Sequence, residues 1–349
     1  MSSSFLFLTE YFDKDVASKD QTNYKIVPKG YFAYNPSRIN VGSIDCQTVE
    51  DRVIVSPLYV VFKADEKMVD NDYLLHYLKS DIGKKYINEL ASGSVRANLK
   101  FSILQDFPFP MIPIEEQKEK MAVIAKIDEN IACCDSIIEK LDLTVKSRFI
   151  EMFGDPVLND LGWKKETLGQ RCEIITGNTP PREEAENYGT YIEWIKSDNI
   201  NTPYTYLTKA EEYLSEEGFK KCRYVDAGSV LMTCIAGSIS CIGNVGIANR
   251  RVSFNQQINA IVPDKDEPIF IYWLMLLSKP YIHSSISKAL KGILSKGKLS
   301  EMEFIFPPVE LQHEFARYVE AIDKSKLAVQ EMKNKMEILK ASVMQDYFC

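Results

Sequence analysis

The sequence has very little histidine and lacks the common motifs of catalysis. Only His76, His283 and His313 occur in 349 residues, and none is spaced with Cys, Asp or Glu as a metal site requires. Glycine-rich phosphate loops, the Gly-x-Ser-x-Gly nucleophile turn and the dinucleotide fingerprint are also missing from the chain. These absences exclude the best-known enzyme classes, and the sequence predicts a non-catalytic protein with no cofactor and no metal.

Long apolar runs and paired cysteines are lacking as well. No run approaches the roughly eighteen residues that a membrane helix needs, so no membrane partner is expected. The first residues contain a four-residue apolar run without a basic segment before it, which does not favour a secretory signal. The eight cysteines form no Cys-x-x-Cys, a pattern typical of reduced thiols in a cytoplasmic protein. The net charge of −7 does not favour a chain covered in nucleic acid, but it allows a local basic face.

What the chain does contain is an internal repeat. Residues 86–153 align without a gap over residues 281–348, with fifteen identities in 68 positions. The identities cluster in a proline–acid–glutamine segment, which is PIEEQ at 113–117 and PVELQ at 308–312. Two unrelated helices with similar caps are the alternative, but the same register continues into the preceding Tyr-Ile pairs. The alignment therefore favours a true duplication.

Each copy of this segment precedes a long amphipathic helix. Apolar positions recur at spacings of three and four, which is the stripe of a coiled coil. We expect two helices of about 50 Å each, packed antiparallel on one another. The stripe positions are Ile124, Ile127, Ile131, Ile138, Leu141 and Val145 in the first helix and Ile322, Val329, Met332, Met336, Leu339 and Val343 in the second.

The sequence therefore predicts an α+β fold, with two α/β domains joined by two long antiparallel coiled-coil helices. The predicted boundaries are 1–112 and 154–307 for the domains and 113–153 and 308–349 for the helices. PIFIYWLMLLS, from Pro268, is predicted to be helical. The domains are unequal, because only 29 residues precede Gly30 in the first, whereas 65 residues from Trp163 precede the matching Gly228. The first domain is expected to lack an opening segment comparable to residues 163–200.

Basic stretches without acids occupy matched positions of the repeat. Lysines interrupted by glycine and serine can approach and neutralise a phosphate backbone. The candidates for phosphate contact are Arg96 and Lys100 in the first half and Lys288, Lys291, Lys296 and Lys298 in the second. Asn and Gln can pair with adenine, and Arg or Lys with guanine, which adds Asn178, Arg182, Lys196 and Asn199 as candidates for reading bases. Ordinary solvated loops are the alternative for every one of these segments.

Taken in order, the segments resemble the DNA-specificity subunit of type I restriction–modification systems. The resemblance rests on IPIEEQKEKMAVIAKID and PPVELQHEFARYVEAID at the two helix starts. It also rests on EWIKSDNIN, AGSVLMTCIAGSISCIGNVGIA and FNQQINAIVP in the second domain. It implies that each domain is a target-recognition domain for one half of a split target and that the helices set the spacing between the halves.

The resemblance also implies partners, which are double-stranded DNA, two methyltransferase subunits and restriction subunits. Methylation and cleavage would belong to those subunits. Leu311 departs from the family pattern, which usually has a second Glu there, and so does the short first domain. A truncated or recombined form, a missed upstream start and completion by a second chain all remain open. The alternative hypothesis is a coiled-coil scaffold that joins two protein-binding domains without contacting DNA.

Overall fold

The computed structural model describes residues 23–91, 99–286 and 293–348. The chain divides into two compact units, residues 1–136 with 329–349 and residues 137–328. Both combine helices with short strands, which confirms the predicted α+β class. None of the helices in the described ranges is long and apolar enough to cross a membrane. The predicted domain boundaries stay predictions.

Ten α-helices occur in the described residues. They are α1 (Asn71–Lys79), α2 (Asp81–Ala91), α3 (Phe101–Gln105), α4 (Ile114–Phe153), α5 (Leu168–Arg171), α6 (Glu216–Lys220), α7 (Pro268–Leu277), α8 (Lys279–Ser285), α9 (Lys296–Glu301) and α10 (Val309–Phe348). The strands of the same residues are β1 (Lys25–Pro28), β2 (Phe32–Tyr34), β3 (Ile44–Cys46), β4 (Arg52–Val55), β5 (Val60–Phe62), β6 (Lys165–Thr167), β7 (Cys172–Thr176), β8 (Tyr188–Ile195), β9 (Tyr213–Leu214), β10 (Tyr224–Val225), β11 (Val230–Thr233), β12 (Val245–Ile247), β13 (Val252–Phe254), β14 (Ile258–Pro263) and β15 (Glu303–Ile305).

The first unit contains two small antiparallel sheets, ordered β3–β2–β5 and β1–β4. Helices α1 and α2 follow the strands, and the core between them includes Phe32, Tyr34, Leu78 and Ile87. Leu99 is fully buried in this core. Its carbonyl oxygen accepts a hydrogen bond from the Tyr34 hydroxyl at 3.0 Å. Burial raises the pKa of Tyr34 to about 12, so its proton stays available for this hydrogen bond.

The second unit contains three sheets, ordered β12–β11–β14–β7, β10–β13–β8–β9 and β15–β6. All pairs are antiparallel except β13 with β8. Helix α7 lies in the core, as its apolar sequence predicts, and begins with Pro268, whose fixed φ suits a first helical turn. Strand β11 ends at Thr233. A 3₁₀ turn at Ile239–Cys241 follows, with Ser238 accepting from the Ser240 amide.

The duplication extends beyond the alignable helices into the sheets. Gly30 and Gly228 have φ of +82° and +92°, a left-handed conformation that costs other residues a clash at Cβ. Each glycine turns the chain into the central strand of a sheet, β2 or β11, and each sheet is followed by a buried helix, α1 or α7. The matched glycines of the sequence therefore occupy equivalent places in the two units.

The long helices start at Ile114 and Val309, one residue after the predicted boundaries. Pro113 and Pro308 stand immediately before them, and their carbonyl oxygens accept from the amides of the glutamines four residues later, at 3.1 and 3.3 Å. The first intrahelical hydrogen bond of each helix therefore starts at the proline, whose missing amide costs nothing at a helix start.

Gln117 connects the first turn of α4 to other elements of the first unit. Its side chain is fully buried, and its Oε1 accepts from the amide of Asp70, the residue that caps α1, at 2.9 Å. Its Nε2 donates to the carbonyl oxygens of Met68 at 3.0 Å and Ile112 at 2.8 Å. One amide side chain thus joins the loop before α1, the proline segment and the first turn of α4.

Gln312 makes the corresponding junction in the second unit and is also fully buried. Its Oε1 accepts from the Glu267 amide at 2.9 Å, and its Nε2 donates to Pro307 O at 2.9 Å and to Asp266 Oδ1 at 2.8 Å. Asp266 additionally accepts two hydrogen bonds from the Arg171 guanidinium, at 2.6 and 2.9 Å. The two glutamines therefore have the same structural role, one in each unit.

Each unit contains the start of one long helix and buries the end of the other. In the first unit the Phe348 ring lies 5.1 Å from Tyr73, and in the second the Phe153 ring lies 5.1 Å from Phe270 and 5.6 Å from Phe315. The start of α4 and the end of α10 therefore pack in the first unit, and the end of α4 and the start of α10 pack in the second. This arrangement confirms antiparallel packing.

Ion pairs spaced by seven residues connect the two helices. The pairs are Asp128 with Lys340 and Asp135 with Lys333 in the first unit and Asp142 with Lys326 in the second. The N–O distances are 2.5 to 2.6 Å. Each partly exposed pair contributes little stability, but the common heptad spacing on both helices shows a regular antiparallel coiled coil.

The stripe side chains are buried to different degrees. Ile124, Ile127 and Val145 are buried, with Ile124 in the core of the first unit and Val145 in that of the second. The half-buried positions are Ile131, Ile138, Leu141, Ile322, Val329, Met336 and Val343. Met332 and Leu339 are exposed at 44% and 47%. The contact of these residues with a partner or with the facing helix stays a prediction.

We predict that Gln117→Met destabilises the first unit by about 1–3 kcal/mol, because it removes three hydrogen bonds, all of them partly buried, from the Asp70 amide and the Met68 and Ile112 carbonyls. Gln105→Met, at the exposed end of α3, should change the free energy of unfolding by less than about 0.5 kcal/mol. Urea unfolding of both variants followed by circular dichroism measures the difference. Equal losses in the two variants would contradict the role given to Gln117.

Candidate nucleic-acid interface

Three polar segments of the second unit converge at the ends of its strands. Residues 176–182 follow β7, residues 196–201 follow β8, and residues 255–257 connect β13 to β14. The Asn178 amide donates to Phe254 O at 3.1 Å, and the Asn255 amide donates to Ile195 O at 3.1 Å. A Cβ at Gly177 would lie 2.1 Å from the Asn255 carbonyl oxygen, so only glycine allows this approach.

A cluster of cations and aromatic rings lies at this convergence, formed by Arg182, Tyr188, Trp194, Lys196 and Glu212. The Arg182 guanidinium carbon is 4.9 Å from the Tyr188 ring centre and 5.0 Å from that of Trp194. The Lys196 ammonium is 5.6 Å from the Trp194 ring centre. Such contacts hold a cation over a ring while leaving hydrogen-bond donors free for another group. We call these five residues the tryptophan cluster.

Glu212 pairs with both cations of the tryptophan cluster and leaves the three charged groups with a net charge of about +1. Its Oε2 accepts from Arg182 at 2.9 Å, and its Oε1 accepts from the Lys196 ammonium. The hydrogen bond from Lys196, helped by that from Arg182, lowers the pKa of Glu212, so the carboxylate stays charged at neutral pH. A phosphate oxygen offers the same two cations an equivalent acceptor.

The asparagines predicted to read bases use their polar atoms within the chain. Asn178 donates to Lys221 O at 2.9 Å and accepts from the Arg223 amide at 2.8 Å. Asn199 is buried; it accepts from the Lys196 amide at 3.0 Å and donates to Lys209 O at 3.2 Å. Both hold the loops that carry Arg182 and Lys196. Their contact with bases stays a prediction.

The remaining lysines lie at equivalent helix starts. Lys100 immediately precedes α3, and Ser295, its counterpart 195 residues later, caps α9 by accepting from the Lys298 amide. Lys100, Lys296 and Lys298 are exposed, and none has a carboxylate within 4.0 Å among residues 23–91, 99–286 and 293–348. Arg96, Lys288 and Lys291 lie outside the described residues.

Sequence reasoning missed Trp194 and Glu212 as members of this surface. It also missed a second aromatic group, in which Arg251 lies 4.9 Å from the Tyr224 ring and Phe219 lies between Tyr224 and Tyr191. Tyr191 and Tyr224 are 60% and 44% exposed. Basic residues within two positions of an aromatic, as in EWIK and CRY, were the available signal. Strand pairing brings these residues to one surface, and the sequence signal carries no information about that pairing.

No group of three or more His, Cys, Asp or Glu side chains able to hold a metal ion occurs in the part of the chain that the structure describes. The cysteines in that part are free thiols. Burial raises the pKa of Cys46, Cys172 and Cys234 to about 12, so these thiols are protonated and unreactive at neutral pH.

Comparison with known proteins finds a family model described as type I restriction modification DNA specificity domain, which matches residues 14–143 and 161–340. The HindI specificity subunit of a type I restriction enzyme from Haemophilus influenzae is 29% identical over 179 residues, or 48% of this chain and 37% of that protein. A putative MjaX specificity subunit from Methanocaldococcus jannaschii is 21% identical over 95% of this chain and 80% of its own length.

Two solved structures share the fold. A chain from work on complex assembly and conformational transition of the type I R-M system superposes with a TM-score of 0.59 at 19% identity, covering 93% of this chain and 83% of that chain. The S subunit of a type I restriction-modification system from M. genitalium superposes with a TM-score of 0.54 at 14% identity, covering 93% and 84%. At these identities the likeness shows the fold.

We predict that Glu212→Gln strengthens binding of short duplex DNA, because it releases two cations without changing side-chain shape. Each cation that gains a phosphate should steepen the plot of log affinity against log salt by about 0.9. Fluorescence anisotropy at four salt concentrations measures this slope. Glu217→Gln, which releases Lys220 on an exposed helix, serves as the control. An unchanged slope for Glu212→Gln would remove Arg182 and Lys196 from the interface.

Proposed function

Because the chain belongs to the family of type I restriction–modification DNA specificity domains, we propose that it is the sequence-specific DNA-binding specificity subunit of a type I complex. The observation that carries this proposal is the double match of the family model, at residues 14–143 and 161–340. Each match extends into one of the long helices, α4 or α10. Specificity subunits are non-catalytic DNA-recognition proteins, so methylation and cleavage are assigned to other subunits.

We propose further that each unit reads one half of a bipartite target. Support comes from the equivalent places of Gly30 and Gly228 and from the exposed lysines beside α3 and α9, which recur in both units. In the second unit the tryptophan cluster supplies two cations over aromatic rings at the ends of converging loops. Loop ends that carry such groups suit contacts to phosphates and base edges.

The long helices are proposed to set the distance between half-sites and to bind two methyltransferase subunits, with restriction subunits joining that assembly. Two helices cannot cover all of each other's apolar surface, and the side chains left exposed include Leu143 at 55%, Leu327 at 63% and Ile338 at 71%. Exposed apolar groups of this kind favour protein contacts. A duplicated chain can also offer like surfaces to two identical partners.

One observation favours a scaffold that does not bind DNA. Arg182 and Lys196 are already paired with the Glu212 carboxylate, and the chain as a whole carries a net charge of −7. The exposed lysines without carboxylate partners argue for DNA binding, and a direct binding experiment decides between the two functions.

For the complex of this chain with its methyltransferase subunit, we expect affinity for duplex DNA to fall steeply with salt. Replacing both Lys296 and Lys298 by alanine should reduce the slope of log affinity against log salt by about 1.8, because two phosphate contacts are lost. Lys324→Ala with Lys335→Ala removes the same charge from exposed positions of α10 and serves as the control. Absence of salt-dependent binding in the unmodified complex would support the scaffold instead.

The ion pairs allow the spacing role to be tested. One heptad inserted after Ser136 and another after Ala328 lengthen both helices between the pairs Asp135–Lys333 and Asp142–Lys326, while keeping each pair in register. Seven residues add about 10 Å, or roughly three base pairs. Selection from randomised duplexes should then recover the same half-sites with a longer spacer.

A heptad in one helix only is the control, since it disrupts the facing pairs and should abolish a defined spacing. Unchanged spacing in the doubly extended variant would mean that the helices do not determine the distance.

A further inference from the structure

The sheet β12–β11–β14–β7 of the second unit gathers polar loops at one end of its strands. Because all of its neighbouring strands are antiparallel, β11 and β7 end where β12 and β14 begin. Residues 176–182 and 255–257 of the candidate interface therefore lie at this end, and so does Asn244, which directly precedes β12. An antiparallel bridge between Ile235 and Ile293 brings the start of the segment that leads into α9 to the same place.

Three side chains form a line of hydrogen bonds at this end of the sheet. The Lys279 ammonium donates to Asn244 Oδ1, and Asn244 Nδ2 donates to Asn201 Oδ1 at 2.7 Å. Lys279 and Asn244 are half-buried, whereas Asn201 is exposed. We call these three residues the amide relay. It runs from the interior of the second unit to the loop 196–201, which also carries Lys196 of the tryptophan cluster.

The lysine at the inner end determines the orientation of both amides. An ammonium group has three donors and no acceptor, so only the oxygen of Asn244 can face Lys279. The nitrogen of Asn244 then points to Asn201, and the Asn201 oxygen accepts from it. Among the described residues, the Asn201 nitrogen makes no hydrogen bond. The relay therefore leaves a pair of donors, rather than an acceptor, for a group outside the chain.

The inner part of the relay is held in place by its surroundings. Asn244 O accepts from the Thr233 amide at 2.9 Å, at the end of β11. Helix α8 begins at Lys279 and is joined to the same loop, because His283 Nε2 donates to Ile242 O at 2.8 Å. The polarity of the exposed amide is thus set before any ligand arrives, which is what a selective contact requires.

The first unit repeats the backbone around the relay but not its side chains. Gly42 and Gly243 have φ of +87° and +81°, and each stands two residues before a strand that pairs with the central strand, β3 or β12. The residue between glycine and strand is Ser43 in the first unit and the relay asparagine in the second. Lys84, which aligns with Lys279 in the repeat, is exposed. The relay therefore distinguishes the second unit from the first.

We propose that Asn201 is a specificity-determining residue that donates to an acceptor on a base edge, with Asn244 and Lys279 as the positioning residues that fix its polarity. This inference rests on the proposed binding of DNA by the second unit. In the major groove, guanine and thymine present a carbonyl oxygen where adenine and cytosine present an amino group. The relay should therefore favour G or T at one position of a half-site. A phosphate oxygen, the other acceptor in DNA, would give no base preference.

Reversing the polarity of the relay tests the inference. Asn244→Asp keeps an acceptor for Lys279 but removes the donor to Asn201, so the Asn201 nitrogen turns inward and its oxygen faces the DNA. Bases are selected from randomised duplexes by the complex of this chain with its methyltransferase subunit. The variant should recover A or C in place of G or T at one position, with the ratio changed about fivefold or more. All other positions should stay the same.

Asn201→Ala provides a second variant at an exposed position, where folding is not at risk, and should lose the preference at that same position. The matched control is Asn249→Asp, which makes the same chemical change just beyond the other end of β12 and should leave every base preference unaltered. An unchanged base profile in both Asn244→Asp and Asn201→Ala would overturn the inference. So would an equal change of profile in Asn249→Asp.

Lys279→Met separates positioning from direct contact with DNA. It frees the Asn244 amide to rotate and should weaken the preference at the same position without changing the slope of log affinity against log salt. A slope reduced by about 0.9 would mean that Lys279 itself contacts a phosphate, which contradicts its positioning role. Absence of salt-dependent binding by the unmodified complex would refute the proposed function, whereas intact binding with an unchanged base profile in the relay variants would refute this inference alone.

Discussion

A buried glutamine at the first turn of each long helix is the interaction on which the arrangement of this protein depends. Gln117 and Gln312 satisfy the backbone at the cap of a core helix and the carbonyl of the segment that enters the long helix. A buried amide is stabilising only when its donors and acceptors are all paired. The direction in which each helix starts within its unit is therefore tightly specified.

Each unit packs against parts of both long helices. Each unit packs the start of one helix and the end of the other, with Phe348 in one aromatic core and Phe153 in the other. Between those ends the helices rely on half-buried stripe residues and partly exposed ion pairs, which are individually weak. Lys and Asp at heptad spacing set the register there.

The candidate interface places basic side chains together in a protein whose net charge is −7. Neutral polar contacts of Asn178 and Asn199 hold the loops that carry them, and the Glu212 carboxylate pairs with Arg182 and Lys196. The proposed contacts with phosphates depend on this positioning, because a phosphate can take the place of the carboxylate as acceptor.

The sequence by itself determined the elements that depend on neighbours along the chain. The periodicity of α4 and α10 and the apolar run of α7 are local signals, and the structure confirms the helices that they predict. Only the tertiary structure decided which distant residues meet. The tryptophan cluster unites residues 182 to 212, and the helix ion pairs join residues 184 to 212 positions apart. Pairing between strands and between antiparallel helices is set by packing across the whole fold, so no window of sequence contains it.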